Sequence, residues 1–316
     1  MKLRSHEAIK YKNCNDDVPP SIPKDGKGDG YFTRSFDDKL WLFHRRWEPP
    51  LSEMMIDTTV MIIHGTVDHS GQYHELATKL LQQERNIAVI AMDMRGWGYS
   101  DGESMYIDEM ETFCRDVETL YRYIHSLPRY SNVKKRFLMG KSLGGTVTAF
   151  CITRNPNYWT NGYIGLSGAY QLDPAISHPS ILKWIALKTL AYLAPKLPIK
   201  KPFEERYIVS DPKVLQKQWR EDEFCSKDKV KVGYIINLIE AVQTIPSLAF
   251  DIPMLMMCGD SDKVVMPCGH QLMLDINSHD DKQVKYYIGG YHNLLLEPNL
   301  KDTIMKDIVE WITKRS

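Results

Sequence analysis

A serine lies between two glycines at residues 140–144 of this 316-residue chain, where the sequence reads Gly-Lys-Ser-Leu-Gly. An apolar run ending in RFLM precedes it, and a segment with helical period, LGGTVTAFCITRN, follows it. The pattern G-x-S-x-G between a strand and a helix is typical of a nucleophile on a sharp turn, where larger neighbours would clash. We therefore predict that Ser142 is a nucleophile and that Gly140 and Gly144 make room for its turn.

A serine hydroxyl attacks a carbonyl efficiently only if a base takes its proton. His292, in GGYHNLLLEP, and Asp262, in CGDSDKVV, each follow an apolar run that reads as a strand. In folds with such a turn the partners come later in the chain, in the order serine, acid, histidine. We predict His292 as the base and Asp262 as the acid, with Asp260 as a solvent-facing or turn-stabilising carboxylate. Three other downstream histidines are predicted to be surface or packing residues: His178, His270 and His279.

The negative charge that forms during attack needs two backbone N–H donors. We predict that Leu143 supplies one and Thr66, in the loop after the first long strand, supplies the other. His64 in the same loop is interpreted as a buried structural residue. In DMRGWGYS, we predict a turn held by a pair between Asp93 and Arg95 rather than a phosphate-binding loop.

The elements that must position these residues alternate along the chain. Two short runs, YFTRSF and LWLFHRRW, predict an antiparallel hairpin, and six continuous apolar runs then alternate with segments of helical period. Continuous apolar strands are typical of parallel sheets covered on both faces. We predict an α/β fold with a mostly parallel, doubly wound central sheet, in which catalytic residues follow the carboxyl ends of strands.

The domain organisation follows from where the alternation stops. Residues 170–248 contain no convincing strand and predict a helical cap inserted before the acid strand, while 30–169 and 249–316 form the core domain. Residues 1–29 are polar and rich in Pro, Gly, Lys and Asp, which predicts a flexible tail.

Composition excludes several classes of protein. The chain has 40 basic and 40 acidic residues, so nothing predicts a nucleic-acid surface. It contains no run of 18 apolar residues and no apolar region near its start, which favours a cytoplasmic protein over a membrane-spanning or secreted one. The six cysteines are scattered and read as free thiols, and no ligand spacing predicts a metal. We expect no cofactor, and nothing in the sequence specifies an oligomeric state.

Five stretches in order carry a resemblance: HGTVDHSGQYHELA, DMRGWGYSDG, GKSLGG, CGDSDKVV and GGYHNLLLEP. They resemble the successive motifs of the monoacylglycerol lipase and lysophospholipase branch of the α/β-hydrolase superfamily, over about residues 30–316. The resemblance implies the α/β-hydrolase fold. It also implies the same roles for the site residues: Ser142, Asp262 and His292 as the triad, and Thr66 and Leu143 as oxyanion donors.

Three positions depart from that family's pattern. The family commonly has His where Lys141 stands, Glu where Asp68 stands, and often Arg where Gln72 stands. The last two positions lie near the polar end of the family's pocket, so we expect Asp68 and Gln72 to contact substrate. Trp219 is expected to line the pocket entrance.

The cap segment contains SILKWIALKTLAYLAPKLPIKK, in which apolar residues nearly encircle a helix and lysines interrupt or flank them. Such a helix is either buried or faces lipid. Two compatible interpretations follow. The helix packs on the core and lines an acyl pocket, and the region 181–193 also makes peripheral contact with a membrane surface.

These residues predict a serine hydrolase that cleaves lipid esters, most specifically monoacylglycerol into fatty acid and glycerol, through an acyl-enzyme. One alternative keeps the chemistry and changes the substrate to lysophospholipids or small esters, as a broad carboxylesterase would. Another class is a non-catalytic binding protein on the same fold, which a degraded triad would mark. All three triad positions are filled here.

Overall fold

The computed structural model describes residues 19–50, 55–83, 86–201 and 204–316. Residues 1–18, which are most of the predicted flexible tail 1–29, lie outside these residues. The remaining part of the tail contacts the core. The carboxylate of Asp25 lies 2.8 and 2.5 Å from the two terminal nitrogens of Arg45, whose side chain is fully buried. The anchored part of the chain therefore begins before residue 29.

The core of the molecule is an eight-stranded sheet in the order β1-β2-β4-β3-β5-β6-β9-β10. β1 and β2 form the predicted antiparallel hairpin, β2 pairs antiparallel with β4, and the remaining neighbours are parallel. The strands are β1 (Asp29–Arg34), β2 (Trp41–Trp47), β3 (Thr58–Ile63), β4 (Ile87–Met92), β5 (Lys135–Lys141), β6 (Gly162–Leu166), β9 (Met254–Gly259) and β10 (Lys282–Tyr287).

Helices cover both faces of this sheet. The nine α-helices of the described residues are α1 (His74–Leu81), α2 (Met110–Ser126), α3 (Leu143–Arg154), α4 (Pro174–Ser177), α5 (Ile181–Leu193), α6 (Pro212–Leu215), α7 (Val232–Thr244), α8 (Cys268–Asp275) and α9 (Lys301–Thr313). None of the helices in the described part of the chain is both long and apolar enough to cross a bilayer.

β3 shows why these sequences form a doubly covered sheet. All six of its residues are buried. Because successive side chains of a strand point to opposite faces, Val60 and Ile62 enter one apolar core and Met61 and Ile63 enter another. Helices α1 and α9 contribute to the first core, and helices α2 and α3 to the second. A continuous apolar strand is thus stabilised on both sides, which confirms the predicted doubly wound α/β fold.

The chain between β6 and β9, which includes the predicted cap 170–248, contains helices α4 to α7 and a π-helical turn at Gln216–Arg220. It also contains two short strands that the sequence did not predict, β7 (Pro198–Lys200) and β8 (Val230–Lys231), which pair antiparallel. Two or three residues carry too short a pattern to distinguish a strand from a loop.

The five cysteines of the described residues are free thiols, and four of them are buried. This agrees with the prediction for those positions, while Cys14 lies outside the described residues.

Candidate active site

The turn between β5 and α3 places Ser142 in a backbone conformation that non-glycine residues rarely adopt, with φ 52° and ψ −120°. Its glycine neighbours have no room for a side chain. A β-carbon at Gly140 would lie 2.2 Å from the Thr148 hydroxyl, and one at Gly144 would lie 2.2 Å from the carbonyl oxygen of Ile63. The glycines therefore allow β5, β3 and α3 to approach closely enough to hold the serine at the sheet edge.

The structure brings the three predicted triad residues together, although 150 residues separate the serine from the histidine. His292 Nε2 lies 2.9 Å from Ser142 Oγ, and His292 Nδ1 lies 2.8 Å from Asp262 Oδ2. All three side chains are buried. The imidazole can thus receive the serine proton on one nitrogen while the carboxylate holds the N–H of the other.

The loop after β9 explains why Asp262 rather than Asp260 faces the histidine. Asp262 accepts hydrogen bonds from the backbone N–H groups of Val264 and Val265 at 2.8 and 3.1 Å, which turn its carboxylate inward. Burial raises the pKa of Asp262, but His292 and these two N–H donors outweigh burial and leave the pKa below its usual value. Asp260 is exposed and accepts from the N–H of Gly289 at 2.8 Å, which is a turn-stabilising role.

The loop after β3 approaches the serine from the other side. A β-carbon at Gly65 would lie 2.9 Å from Ser142 Cβ. The next residue, Thr66, is fixed at two points, because its carbonyl accepts from the indole N–H of Trp97 and its hydroxyl lies 2.5 Å from the hydroxyl of Tyr234. Thr66 and Leu143, the two predicted oxyanion donors, line one cavity together with Ser142.

That cavity has a volume of about 640 Å³ including its open mouth. Apart from Thr66, Ser142, Tyr234 and Lys200, its lining is apolar: Leu143, Ala169, Leu172, Ile176, Val230, Ile235, Leu238, Ile239, Val264 and Val265. Most of these residues come from the segment predicted to be the cap and from the loop after β9. The wall of the cavity beside the serine is therefore apolar and suits a hydrocarbon chain.

His64 is fully buried at the end of β3, as expected for a structural residue. Its Nδ1 lies 2.7 Å from the carbonyl of Gly65, and its Nε2 accepts the N–H of Met94 at 3.0 Å. Burial lowers the pKa of His64, so the ring is neutral and able to accept.

The predicted pairing of Asp93 with Arg95 is wrong. Arg95 binds Asp116 on α2 through two hydrogen bonds of 2.6 and 2.9 Å. Asp93 instead accepts the backbone N–H groups of Ser70 and Tyr99. Closeness in the sequence was misleading because each side chain binds a partner from a segment further along the chain or before it.

The predicted substrate contacts Asp68, Gln72 and Trp219 are not part of the cavity lining. Asp68 binds Lys141, with Oδ2 2.6 Å from Nζ, and both side chains are buried. Gln72 donates its side-chain amide to Asp222 at 2.8 Å. Trp219 is only 7% exposed and packs in the apolar core.

Among the described residues, one cluster has ligand atoms close enough to suggest a metal: His69, Asp222 and Cys225. The donor set argues against an ion. Nδ1 of His69 accepts the N–H of Gly71 at 3.2 Å, so Nε2 carries the proton that it donates to Asp222 at 3.0 Å. The cluster is a hydrogen-bond network that joins the loop after β3 to residues 222–225.

Some residues of the site carried no signal in the sequence. Trp97 and Tyr234 fix Thr66 from 31 and 168 residues away in the chain, and nothing in the sequence indicated these contacts. His270, predicted to be a surface or packing residue, is fully buried close to the acid loop. Lys141 and Asp68 did carry a signal in the sequence, because each departs from the pattern of the resembled family. In the structure the two side chains are partners.

Residues 55–299 match the family described as serine aminopeptidase, S33. The chain belongs to this family.

Proteins similar to this chain include monoglyceride lipases. The human enzyme is 26% identical over 318 residues, covering 99% of this chain and 94% of its own length. The mouse enzyme is 27% identical over 283 residues, covering 88% of each chain. A solved structure of a soluble variant of monoglyceride lipase from Saccharomyces cerevisiae, in complex with a substrate analog, superposes with a TM-score of 0.77. It shares 20% identity and covers 96% of this chain and 98% of that one.

The family match and these relatives establish the chain as a serine ester hydrolase with the α/β-hydrolase fold, similar to monoglyceride lipases.

Proposed function

We propose that this protein hydrolyses monoacylglycerols to fatty acid and glycerol through an acyl-enzyme on Ser142. The observation that carries the proposal is the serine–histidine–aspartate chain of hydrogen bonds, 2.9 and 2.8 Å long, at one end of an apolar cavity. The names of the relatives, monoglyceride lipases, support the choice of substrate.

In the first half of the reaction, Ser142 Oγ forms a bond to the ester carbonyl carbon while His292 Nε2 takes its proton. The carbonyl oxygen becomes an anion, and the backbone N–H groups of Thr66 and Leu143 stabilise it. The bond to the glycerol oxygen then breaks, and His292 donates the proton to that oxygen. Asp262 remains ionised throughout and stabilises the protonated imidazole.

In the second half, a water molecule attacks the acyl carbon and gives its proton to the same nitrogen of His292. Collapse of the second anion returns the proton to Ser142 Oγ and releases the fatty acid. The two halves use one base twice, and the free enzyme is restored with one water molecule consumed per ester cleaved.

The cavity supports an acyl chain as the group that remains on the serine. Its lining carries a single charged side chain, that of Lys200, among the described residues. Burying apolar surface contributes about 25 cal/mol per Å², so a long chain gains more from this lining than a short one. Affinity for the alcohol part must come from groups on the other side of the serine.

We also propose that residues 170–248 act as a cap whose outer face contacts membranes. Helix α5 has two distinct sides. Trp184, Leu187 and Leu190 are half-buried, whereas Ile181, Leu182, Ile185, Tyr192 and Leu193 are between 55% and 87% exposed. With about 100° between successive residues, the exposed apolar side chains share one stripe, and Lys188 borders it. The exposed Lys200 and Lys201 follow the end of the helix. An apolar stripe bordered by cations suits an interface with anionic lipids.

The function is tested with purified protein, wild type and Ser142→Ala, on 2-oleoylglycerol, lysophosphatidylcholine and p-nitrophenyl butyrate. We expect 2-oleoylglycerol to be the best of the three substrates. The variant should lose about 10⁴-fold or more in kcat, as removal of a triad member does. Faster cleavage of lysophosphatidylcholine would make the protein a lysophospholipase, and preference for the butyrate a general carboxylesterase. Equal rates for variant and wild type would mark a binding protein.

A further inference from the structure

His270, on the first turn of α8, is completely buried near the triad but belongs to none of the roles described above. Its ring makes two hydrogen bonds. Nε2 lies 3.0 Å from the backbone N of Gly168, and Nδ1 lies 3.2 Å from the carbonyl oxygen of Pro267. Because the N–H of Gly168 can only donate, Nε2 accepts, and Nδ1–H therefore donates to Pro267.

Burial lowers the pKa of His270 to about 4. The ring is accordingly neutral near pH 7, which is the state that leaves Nε2 a lone pair for Gly168. The edge of the imidazole also packs against the ring of Tyr170, with centroids 5.3 Å apart and planes at 82°. The ring is thus held in orientation by packing as well as by its two hydrogen bonds.

One end of this ring is connected to the nucleophile. Gly168 lies in the loop after β6, beside Ser167, whose φ of 45° shows that the loop is conformationally restricted. The following residue, Ala169, donates its N–H to the carbonyl oxygen of Ser142 at 2.9 Å. The peptide that His270 holds is therefore next to the peptide that supports the serine turn.

The other end is connected to the acid. Pro267 lies two residues after Val265, whose N–H binds the carboxylate of Asp262. Ala169 and Val265 also both line the apolar cavity. A single rigid side chain therefore joins the loop that supports the nucleophile to the loop that orients the acid, across 102 residues of sequence.

We propose that His270 is a positioning residue that fixes the separation between the Ser142 turn and the Asp262 loop, so that His292 reaches both. Misplacement of reacting groups by about 1 Å can cost about 100-fold in rate, so a link of this kind affects turnover without touching substrate. The inference rests on the proposed function, because it assigns a role within that reaction.

The two loops are also joined by a contact that does not involve His270. The N–H of Met266 donates to the carbonyl of Gln171 at 3.0 Å, which is an independent bond between the same two segments. Variants at residue 270 are therefore expected to fold, with the separation of the loops less sharply defined.

Three substitutions separate the two hydrogen bonds. His270→Gln retains a long side chain whose carbonyl can accept from Gly168. His270→Asn is shorter and can replace only the local bond to Pro267, and His270→Leu makes neither. The matched control is His125→Leu on α2, since His125 also binds a carbonyl of its own helix, that of Tyr121 at 2.8 Å, but is remote from the triad in its contacts.

We expect His270→Leu and His270→Asn to lower kcat by about 10- to 100-fold with KM within about twofold of wild type, and His270→Gln to retain most of kcat. The rate at which a fluorophosphonate labels Ser142 should fall in the same order, because labelling needs only an activated serine. Thermal unfolding of each variant at residue 270, and of His125→Leu, shows how much of the fall in kcat and in labelling rate follows from lost stability alone.

Two results overturn the positioning role while leaving the function intact. In one, His270→Leu and His125→Leu turn over substrate at equal rates. In the other, His270→Gln is as slow as His270→Leu, which would mean that the bond to Gly168 does not matter. A wild-type protein that is inert towards both esters and fluorophosphonate overturns the function and this role together.

Discussion

Lys141 and Asp68 form a buried ion pair directly beside the nucleophile, with Nζ and Oδ2 2.6 Å apart and side-chain exposures of 5% and 4%. The hydroxyl of Tyr73 donates to the same carboxylate oxygen at 3.3 Å. Both charged residues depart from the resembled family, in which His and Glu commonly stand. The two departures are in contact, so they amount to one paired exchange. Where the family commonly has the shorter base His and the longer acid Glu, this chain has the longer base Lys141 and the shorter acid Asp68.

The first prediction concerns this pair. Lys141→Met leaves a buried carboxylate, and Asp68→Asn leaves a buried ammonium group. Each should lower the free energy of unfolding by about 3–5 kcal/mol, because an uncompensated buried charge is costly. The double variant Lys141→His, Asp68→Glu should be more stable than either of its single variants. Urea denaturation of these five variants and the wild type measures the coupling.

An exposed pair provides the control for that experiment. Lys301 lies 3.2 Å from Glu75, and both side chains are more than a third exposed. Lys301→Met should therefore change stability by no more than about 1 kcal/mol. If Lys141→Met costs as little, or if the paired exchange costs the sum of its single changes, the two residues are not energetically coupled.

The second prediction is a loss of stability in mild acid. Burial lowers the pKa of His44 to about 3 and that of His270 to about 4, whereas both titrate near 6.5 in an unfolded chain. Below pH 6.5 the unfolded chain therefore binds protons that the folded protein does not. The free energy of unfolding should fall by about 1.4 kcal/mol per pH unit for each histidine until its folded pKa is reached. Urea midpoints at pH 7.5, 5.5 and 4.5 measure the slope.

His44 is the better site for testing this effect, since neither ring nitrogen has a hydrogen-bond partner in the described part of the chain and its ring stacks on Tyr31. His44→Phe should keep the stacking and make the slope shallower. His178→Phe, at an exposed histidine, should leave the slope unchanged. An unaltered slope in His44→Phe would show that another group dominates acid unfolding.

The third prediction tests the outer stripe of α5. Wild-type protein should co-sediment with vesicles of phosphatidylcholine and phosphatidylserine, and Leu182→Glu with Ile185→Glu should reduce the bound fraction at least about tenfold. Each large apolar side chain is worth about 1.5–3 kcal/mol on burial, and 1.4 kcal/mol is a factor of ten. Neither residue lines the cavity, so hydrolysis of soluble p-nitrophenyl butyrate should be preserved.

The same substitution at Ile288, which is 86% exposed in the core domain, is the matched control and should not affect sedimentation. Binding that is equal for all three proteins would place the membrane contact elsewhere. Binding to phosphatidylcholine alone as strong as to the mixed vesicles would remove the lysines from the explanation.

Much of the fold could be predicted because its signals are local. A strand such as TTVMII has an apolar pattern that requires cover on both faces wherever it lies, and the elbow at Ser142 is marked by glycines within two residues of it. The short strands β7 and β8 could not be found in this way, since two or three residues in contact with one partner leave no period to read.

In the candidate site, too, some residues could be predicted from the sequence and others could not. Asp262 and His292 could be named because each follows a strand, and parallel strands end at one edge of a sheet. The partners of Arg95, Gln72 and His270 could not be named, because side chains in loops choose among neighbours supplied by distant segments.

The sequence alone thus determined the alternation of the long strands with helices and the three residues whose chemistry requires one another. Tertiary structure decided how far apart those residues lie and what holds them there: the Lys141–Asp68 pair, the two contacts of Thr66, and the His270 link between loops. The physical reason is that backbone pattern is a property of neighbouring residues. Hydrogen bonds of about 3 Å depend instead on the relative placement of segments a hundred residues apart.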